Sequence, residues 1–91
     1  MIKTTSEILI YTANLCSYCL MAKRLLDAKG VQYTEINVDA EPGLREALMQ
    51  KSKRRTVPQI YIGDRHIGGF DDLYALDRQK GLDPLLESYK R

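Results

Sequence analysis

The stretch EILIYTANLCSYCLMAKRLLDAKGVQYTEINV, residues 7–38, carries the pattern that decides the fold. Glu7–Thr12 is mostly apolar and β-branched, which is typical of a buried strand. From Ser17 to Lys29 the spacing is helical, and Gly30 suits a left-handed helix end. Residues 31–38 alternate enough in polarity to predict a second strand. This order predicts two parallel strands joined by a right-handed crossover. The apolar residues that recur at helical intervals are Leu20, Leu25, Leu26 and Ala28.

A second helix is predicted after the second strand. Asp39 can cap it, and Pro42 suits its first turn because the N–H group that proline lacks has no partner there. The helix is expected to run to about Ser52. Its inward-facing residues are expected to be Leu44, Leu48 and Ala47.

The last third of the chain predicts a hairpin followed by helices. Gln59–Ile62 reads as a third strand, Gly63-Asp64 as a turn, and residues 66–69 as a short fourth strand. Two aspartates at 71 and 72 open another helix that Gly81 is expected to close. A last helical turn or two is predicted after Leu82. The expected fold is α/β, a four-stranded mixed sheet with flanking helices.

Composition and length limit the class of protein. Ninety-one residues suit a single domain, and 44% apolar with 29% charged residues is ordinary for a globular protein. The net charge of +2 is too small to imply a nucleic-acid partner. No apolar run approaches the roughly 18 residues that a membrane helix needs, and the N-terminus does not resemble a signal peptide. With two cysteines, too few for a secreted disulfide scaffold, a cytoplasmic protein is expected.

Both cysteines lie where the first strand is predicted to turn into the helix. Cys16 falls at or just before the first helical turn, where free N–H groups and the helix dipole stabilise a thiolate. Cys19 lies one turn deeper on the same face, close enough for a disulfide. We therefore expect Cys16 to be the nucleophile and Cys19 the resolving thiol.

Two other uses of the cysteine pair stay open at this point. A zinc site needs about four ligands, and the chain has two cysteines and one histidine. A structural disulfide, or a pair of inert buried thiols, is the other alternative, although a short loop in a reducing compartment gains little from it. Redox chemistry is favoured, because C-x-x-C at the first turn of a strand–helix–strand unit is typical of a thioredoxin-like fold.

Three motifs together resemble the glutaredoxin family: CSYC (16–19), RTVPQIYIGDRHIGG (55–69) and FDDLYALD (70–77). The resemblance extends from Glu7 to Leu86 and is closest to the small bacterial dithiol members. It implies a thioredoxin-like fold and glutathione-dependent reduction of protein disulfides and of protein–glutathione mixed disulfides. Glutathione would be the co-substrate.

The resemblance gives the loop Thr56-Val57-Pro58 a specific role. In the family the proline of this loop is cis and faces the cysteines. The Val57 N–H and C=O would then pair with the cysteine unit of glutathione, like one more strand. The alternative is that Pro58 merely starts the third strand.

The motif GGFDD is implied to hold the γ-glutamyl end of glutathione. Gly68-Gly69 lets the backbone approach closely. The N–H of Asp71 would bind the carboxylate at a helix N-terminus, and the carboxylate of Asp72 would bind the ammonium group. Plain helix capping is the alternative, and the two roles are compatible.

Two further side chains match family positions. Arg45, eleven residues before Thr56, matches a residue that grips the glycyl carboxylate of glutathione. Tyr18 matches the tyrosine that flanks the bound tripeptide. The alternatives are a solvated helix charge for Arg45 and core packing for the Tyr18 ring.

The basic run KSKRR (51–55) and the single histidine are assigned plainer roles. The run is interpreted as a solvated helix end that can also attract anionic glutathione; a nucleic-acid patch lacks a supporting fold signal. His66 is expected to be structural, without partners.

Two positions depart from the family pattern. Ala13 stands where most relatives carry a Lys that helps to stabilise the thiolate, and Ser17 replaces the proline of C-P-Y-C. Some members with Ser at this position bind a bridging [2Fe–2S] cluster through the first Cys of two subunits and two glutathiones. A dimeric cluster carrier is therefore the alternative function, with Cys16 as the ligand. A third reading, an electron donor to thioredoxin reductase, disagrees with the T-V-P and G-G-x-D-D motifs.

The resemblance also sets the expected partners. They are glutathione, disulfide-containing or glutathionylated proteins and, indirectly, the glutathione reductase system. Neither nucleic acid nor a membrane is expected, and the protein is expected to be a monomer.

Overall fold

The computed structural model describes residues 7–89. The four strands are β1 (Ile8–Thr12), β2 (Thr34–Asn37), β3 (Gln59–Ile62) and β4 (Arg65–Gly68). The helices are α1 (Ser17–Ala28), α2 (Leu44–Ser52), α3 (Phe70–Arg78) and α4 (Leu82–Leu86), followed by a 3₁₀ turn at Glu87–Tyr89. The expectations for a signal peptide and for the end of the last helix fall partly on residues 1–6 and 90–91, which lie outside the described residues.

The strands form one mixed sheet in the order β2-β1-β3-β4. β1 and β2 are parallel, with Leu9 opposite Thr34. The β1–β3 and β3–β4 pairs are antiparallel, and Ile10 lies opposite Ile60. The predicted fold class, a thioredoxin-like four-stranded mixed sheet with flanking helices, is confirmed. Within residues 7–89, no helix has the length and apolar character to cross a membrane.

The two faces of the sheet bury different side chains, because successive residues of a strand point to opposite sides. In β1, Ile8 and Ile10 face one side, whereas Leu9 and Tyr11 face the other. The core on the first side consists of Ile8, Ile10, Ala22, Leu26, Val31, Ile60, Ile62, Leu73, Leu82 and Leu86. The smaller core on the second side, which α2 covers, consists of Val38, Leu48 and Tyr61.

Helix α1 has the predicted bounds to within one residue, but a different face is buried. The buried residues are Cys19, Ala22 and Leu26. Leu20 is 46% exposed and Ala28 is also exposed, so the predicted apolar stripe was wrong at these two positions. Positions i, i+3 and i+7 share one helix face, and here that face is built partly from a small residue and a cysteine.

Helix α2 begins later than predicted, and the prediction of Asp39 as its cap was wrong. The helix starts at Leu44 after Gly43, which has a left-handed φ of 89°. Asp39 instead accepts a hydrogen bond from the Asn14 N–H at 2.9 Å. Because its carboxylate has a partner 25 residues away in sequence, it is not available to a local helix end. Of the three residues expected to face inward, Leu48 is buried and Leu44 is half-buried, whereas Ala47 is exposed.

The later helices also depart in detail from the predicted bounds. Helix α3 starts at Phe70, one residue before the predicted aspartate, and ends at Arg78. Gly81 therefore does not close α3, as was predicted, but precedes α4. The chain turns at Lys80, which has a left-handed φ of 65°.

The strand directions bring three separate segments to one end of the sheet. Because β3 is antiparallel to β1 and β4 is antiparallel to β3, β4 runs in the direction of β1. The carboxyl ends of β1 and β4 therefore lie at the same end as the start of β3. The end of β1 leads into α1, the end of β4 leads into α3, and the start of β3 follows residues 56–58. The three motifs of the sequence therefore converge at this end of the sheet.

Candidate active site

The cysteine pair lies at the start of α1 and forms a disulfide. The Cα atoms of Cys16 and Cys19 are 5.3 Å apart. Cys16 is the N-cap residue, in an extended conformation, and its sulfur accepts a hydrogen bond from the Cys19 N–H at 3.1 Å. Cys19 is only 3% exposed, whereas Cys16 is half-buried. The assignment of Cys16 as nucleophile stays a prediction, which this difference in exposure supports.

The turn before the pair presents an unusual residue to solvent. Leu15 has a left-handed φ of 54° and a fully exposed side chain. Such a conformation costs a residue with a Cβ about 1 kcal/mol or more. The turn is held by a hydrogen bond between the side chains of Asn37 and Asn14 at 2.9 Å and by the bond from Asn14 to Asp39.

The loop Thr56-Val57-Pro58 faces the disulfide. The Val57–Pro58 peptide bond is cis, and Pro58 is buried. The carbonyl oxygen of Val57 lies 3.9 Å from the sulfur of Cys16. Because that sulfur carries no hydrogen in the disulfide, the distance is a van der Waals contact. It places the backbone of Val57 directly beside the sulfur of Cys16.

A groove of about 280 Å³ opens between this loop and the start of α3. It is lined by Tyr18, Arg54, Thr56, Val57, Pro58, Gly69, Phe70, Asp71 and Asp72. We call it the active-site groove. It brings together every residue that was predicted to bind glutathione except Arg45. Arg54 and Phe70 were not individually predicted to line the groove. Arg54 belongs to the basic run that was expected to attract glutathione, and Phe70 lies within the motif GGFDD.

The groove contains an ion pair between Arg54 and Asp72, with 2.9 Å between Nη1 and Oδ2. The same carboxylate oxygen accepts the Gly69 N–H at 2.9 Å, so Asp72 also caps the start of α3. The hydrogen bond from Arg54 and, next, that from Gly69 hold the pKa of the Asp72 carboxyl below its usual range. Asp72 is therefore an anion in the groove at neutral pH.

Aromatic rings form the other wall of the groove. The ring of Tyr18 is 57% exposed and stacks against Phe70, with 6.3 Å between the ring centres. Phe70 in turn stacks against Tyr74 at 5.7 Å. Tyr18 is thus not a core residue; it presents a flat surface beside the cysteines.

Arg45 lies outside the lining of the groove. Its guanidinium pairs with Asp39 at 2.8 Å. The bond from the Asn14 N–H, followed by that from Arg45, holds the pKa of the Asp39 carboxyl below its usual range. The predicted role of Arg45 toward glutathione therefore stays a prediction. The arginine that lines the groove is Arg54.

The histidine and the basic run differ from their plainer interpretation. His66 was expected to have no partners, but its Nε2 lies 2.7 Å from Oε1 of Gln59 and its ring stacks on Tyr61. In the basic run, Lys51 lies 3.0 Å from the Tyr11 hydroxyl and Arg54 enters the groove. The run is therefore only in part a solvated helix end.

Metal ligands are scarce in this site. Across residues 7–89, no group of three or more His, Cys, Asp or Glu side chains is placed to hold a metal ion. Neither cysteine lines the groove, but the sulfur of Cys16 contacts Val57, which does. A half-buried sulfur with a second sulfur in reach is the arrangement that thiol–disulfide exchange needs.

Comparison with known proteins agrees with this chemistry. The family model described as Glutaredoxin matches residues 8–67. Glutaredoxin 3 of Escherichia coli (strain K12) is 54% identical over 78 residues, which cover 86% of this chain and 94% of the relative. The solution structure of glutaredoxin from Brucella melitensis has a TM-score of 0.80 and 44% identity, with 97% of this chain and 96% of that chain covered. The crystal structure of a buckwheat glutaredoxin–glutathione complex has a TM-score of 0.83 and 34% identity, covering 89% and 76%. The chain belongs to the glutaredoxin family, and its two cysteines make it a dithiol member, a glutathione-dependent disulfide reductase.

Proposed function

We propose that the active-site groove binds glutathione, both as co-substrate and as the glutathionyl half of protein mixed disulfides. The observation that carries this proposal is the contact of the Val57 carbonyl with the Cys16 sulfur. A peptide laid along the Val57 backbone as an added strand would have its own sulfur beside Cys16. The buckwheat relative, which was crystallised with glutathione, has the same fold.

The two ends of the tripeptide find complementary groups in this arrangement. The N–H of Asp71, at the start of α3, suits the α-carboxylate of the γ-glutamyl unit. The Asp72 carboxylate suits its ammonium group, and Thr56, Pro58 and Tyr18 bound the middle of the groove. Arg45 remains the proposed partner of the glycyl carboxylate, which would then take the place of Asp39. Arg54 gives the groove a further positive charge for the same anionic ligand.

The proposed reaction with a glutathionylated protein has two exchange steps. The Cys16 thiolate attacks the glutathionyl sulfur, the mixed disulfide breaks, and the protein leaves as a thiolate. A second glutathione thiolate then attacks the glutathionyl sulfur on Cys16, which releases oxidised glutathione and restores the Cys16 thiolate. The N–H of Cys19, which donates to the Cys16 sulfur in the disulfide, favours the charged form of that sulfur.

Protein disulfides follow a dithiol route. Cys16 attacks one sulfur of the substrate, and the substrate's other sulfur leaves as a thiolate. Cys19 then attacks Cys16, which releases the reduced protein and leaves the Cys16–Cys19 disulfide that the structure contains. Two glutathiones reduce this disulfide, and the glutathione reductase system regenerates them. We propose that residues 1–91 act in this way as one monomeric domain in the cytoplasm, on disulfide-containing and glutathionylated proteins.

One assay tests the proposal directly. The oxidised protein is supplied with NADPH, a glutathionylated peptide, glutathione and glutathione reductase, and in parallel with NADPH, the same peptide and thioredoxin reductase in place of glutathione and its reductase. Turnover that depends on glutathione, with little turnover from thioredoxin reductase, is expected. Efficient turnover with thioredoxin reductase alone would contradict the proposal and favour the third reading.

A dimeric [2Fe–2S] carrier is the second candidate, and the exposure of the active-site turn favours it. A cluster of this type needs four ligands, usually thiolates, and the chain offers the half-buried Cys16 while Cys19 is buried. Two chains and two glutathiones could supply the set. The exposed Ser17 lies at the position where a proline would stiffen the turn. Anaerobic reconstitution with iron, sulfide and glutathione tests this; a coloured dimer supports the carrier, and a colourless monomer rejects it.

A further inference from the structure

The side chain of Gln59 connects the Thr56-Val57-Pro58 loop to the far edge of the sheet. Gln59 is the first residue of β3 and is fully buried. Its Nε2 donates to the Thr56 carbonyl oxygen at 3.0 Å and approaches the Thr56 hydroxyl at 3.3 Å. Its Oε1 lies 2.7 Å from Nε2 of His66 in β4. A buried amide placed in this way is satisfied only while both neighbours are present.

The direction of these hydrogen bonds follows from the chemistry of the groups. A carbonyl oxygen only accepts, so the amide nitrogen of Gln59 must face Thr56. The amide oxygen therefore faces His66, and Nε2 of that ring must carry the proton. This holds for the neutral ring and for the charged ring, in which both nitrogens are protonated. The bond between Gln59 and His66 thus survives titration of the histidine.

The position of the His66 ring is fixed by its surroundings. His66 pairs with Tyr61 across the β3–β4 hairpin, and the two rings stack with 4.6 Å between centres and an angle of 17°. His66 is exposed overall. Partial desolvation of its ring by the packed neighbours and then the positive charge of Arg54 lower the pKa of His66, against the opposite effect of Asp72. Lys51, whose ammonium lies over the Tyr61 ring, lowers that pKa further. The ring therefore stays neutral and in place at physiological pH.

We infer that His66 and Gln59 are positioning residues for the glutathione-binding loop. The ring of His66 orients the Gln59 amide, and the amide holds the Thr56 carbonyl, one residue before the Val57 backbone. The inference rests on the proposed function of that backbone in binding glutathione. Neither side chain lines the active-site groove, so both act through the loop.

Two substitutions of the histidine separate its hydrogen bond from its packing. His66→Phe keeps a flat ring on Tyr61 but leaves the buried Gln59 oxygen without a donor. His66→Gln retains an N–H donor at the reach of Nε2. We expect His66→Phe to raise the KM for glutathione roughly fivefold, the effect of about one lost buried hydrogen bond, with kcat changed less than about twofold. His66→Gln should restore the KM to within about twofold, and Arg65→Gln, next to it in β4, should leave both constants unchanged.

The outcomes divide cleanly. An unchanged KM in folded His66→Phe, or an equal rise in His66→Gln, overturns the inference. If the wild-type protein shows no dependence on glutathione, the proposed function fails instead. The hydrogen bond from His66 to Gln59 is then still tested by the ¹⁵N resonances of the His66 ring. The Nε2–H tautomer is expected, and the Nδ1–H tautomer would reject this hydrogen bond. If His66→Phe does not fold, the amide-exchange rate of Val57 is compared between His66→Gln and the wild type in place of the kinetics. Similar protection of the Val57 amide in both proteins supports the inference, and loss of this protection in His66→Gln overturns it.

Discussion

The two sulfurs of the CSYC motif differ in exposure, and this difference predicts different mutant phenotypes. Cys16→Ser removes the more exposed sulfur, the one beside the Val57 carbonyl, so we expect loss of activity on both glutathionylated and disulfide substrates, by at least about 10³-fold. Cys19→Ser removes only the buried resolving thiol. It should retain the reduction of glutathionylated substrates and lose the dithiol route.

The measurement is a coupled assay with each substrate type, using both variants and the wild type. Mass spectrometry of Cys19→Ser should also detect a glutathione adduct on Cys16. A Cys16→Ser protein that still turns over a glutathionylated peptide would refute the assignment of the nucleophile.

The lowered pKa of Asp72 makes a second residue-scale prediction. The unfolded chain binds a proton to this carboxyl more readily than the folded protein does, so stability rises with pH in the acid range. The contribution is complete above about pH 5 and is lost as the pH falls through the lowered folded pKa. Asp72→Asn should therefore be less stable than wild type at neutral pH, by less than about 1 kcal/mol because the pair is half exposed.

Urea unfolding at a series of pH values measures this difference, with Asp64→Asn in the β3–β4 turn as the control. The gap between wild type and Asp72→Asn should narrow as the pH falls below about 4. A gap of the same size at neutral and acid pH would show that the charge of Asp72 does not stabilise the fold.

At the scale of elements, the junction of β4 and α3 depends on a glycine that brings the backbone close to a carboxylate. Gly68 has a φ of 119°, and a Cβ there would overlap the Asp72 carboxylate that caps the helix. Gly30, at the end of α1, has a φ of 75° with open space around it. Gly30→Ala therefore adds only backbone strain, and Gly68→Ala adds strain and a clash.

We expect Gly30→Ala to lower the free energy of unfolding by about 1 kcal/mol, and Gly68→Ala by about 2–4 kcal/mol. Only Gly68→Ala should also weaken glutathione binding, because it displaces Asp72 in the groove. Chemical denaturation and the KM for glutathione are the measurements. Equal losses in the two variants would mean that the close approach at Gly68 is relieved at no cost.

At the scale of elements, local sequence patterns predicted the bounds of one helix well and those of another poorly. Helix α1 was predicted almost to the residue, because its strand–helix turn and its terminal glycine are local signals. The start of α2 was not predicted correctly, because the Asp39 carboxylate binds the N–H of Asn14, which is distant in sequence and so does not appear in any local pattern. The inward face of α1 was missed at Leu20 because contact with the sheet, rather than apolar character, selects the buried stripe.

The candidate site was foreseeable where its residues form short motifs and not where they meet across the fold. Residues 56–58 and 69–72 were predicted to meet near Cys16, and they line one groove with Tyr18. The pairing of Arg54 with Asp72 joins residues 18 positions apart, and the link from Gln59 to His66 spans the hairpin. Such contacts depend on the register of β3 and β4, which the sequence does not state.

At the scale of the whole molecule, the active site and the main ionic cluster lie at opposite ends of α1. Cys16 caps the start of the helix, and Lys29 caps its end, about 20 Å away at 1.5 Å of rise per residue. The ammonium of Lys29 bridges Asp77 of α3 at 2.6 Å and Asp83 of α4 at 3.0 Å. The hydrogen bonds to Asp77 and then to Asp83 raise the pKa of Lys29. One side chain thus ties three helices together away from the catalytic end.

This separation predicts a variant that loses stability without losing function. Lys29→Met keeps the apolar stem but removes the ammonium that bridges Asp77 and Asp83, so we expect a loss of about 1–2 kcal/mol in the free energy of unfolding at neutral pH. Because the folded pKa of Lys29 is raised, its contribution is complete below about pH 10 and is lost as the pH rises through the folded value. Lys23→Met, which breaks a single pair with Glu35, should cost less than about 0.5 kcal/mol. Urea unfolding tests both, and the KM for glutathione should be unchanged in Lys29→Met, since α1 still presents Cys16 and the active-site groove as before. A Lys29→Met protein as stable as Lys23→Met would show that the three helices are held by their apolar core alone, and a raised KM would show that the far end of α1 is coupled to the site.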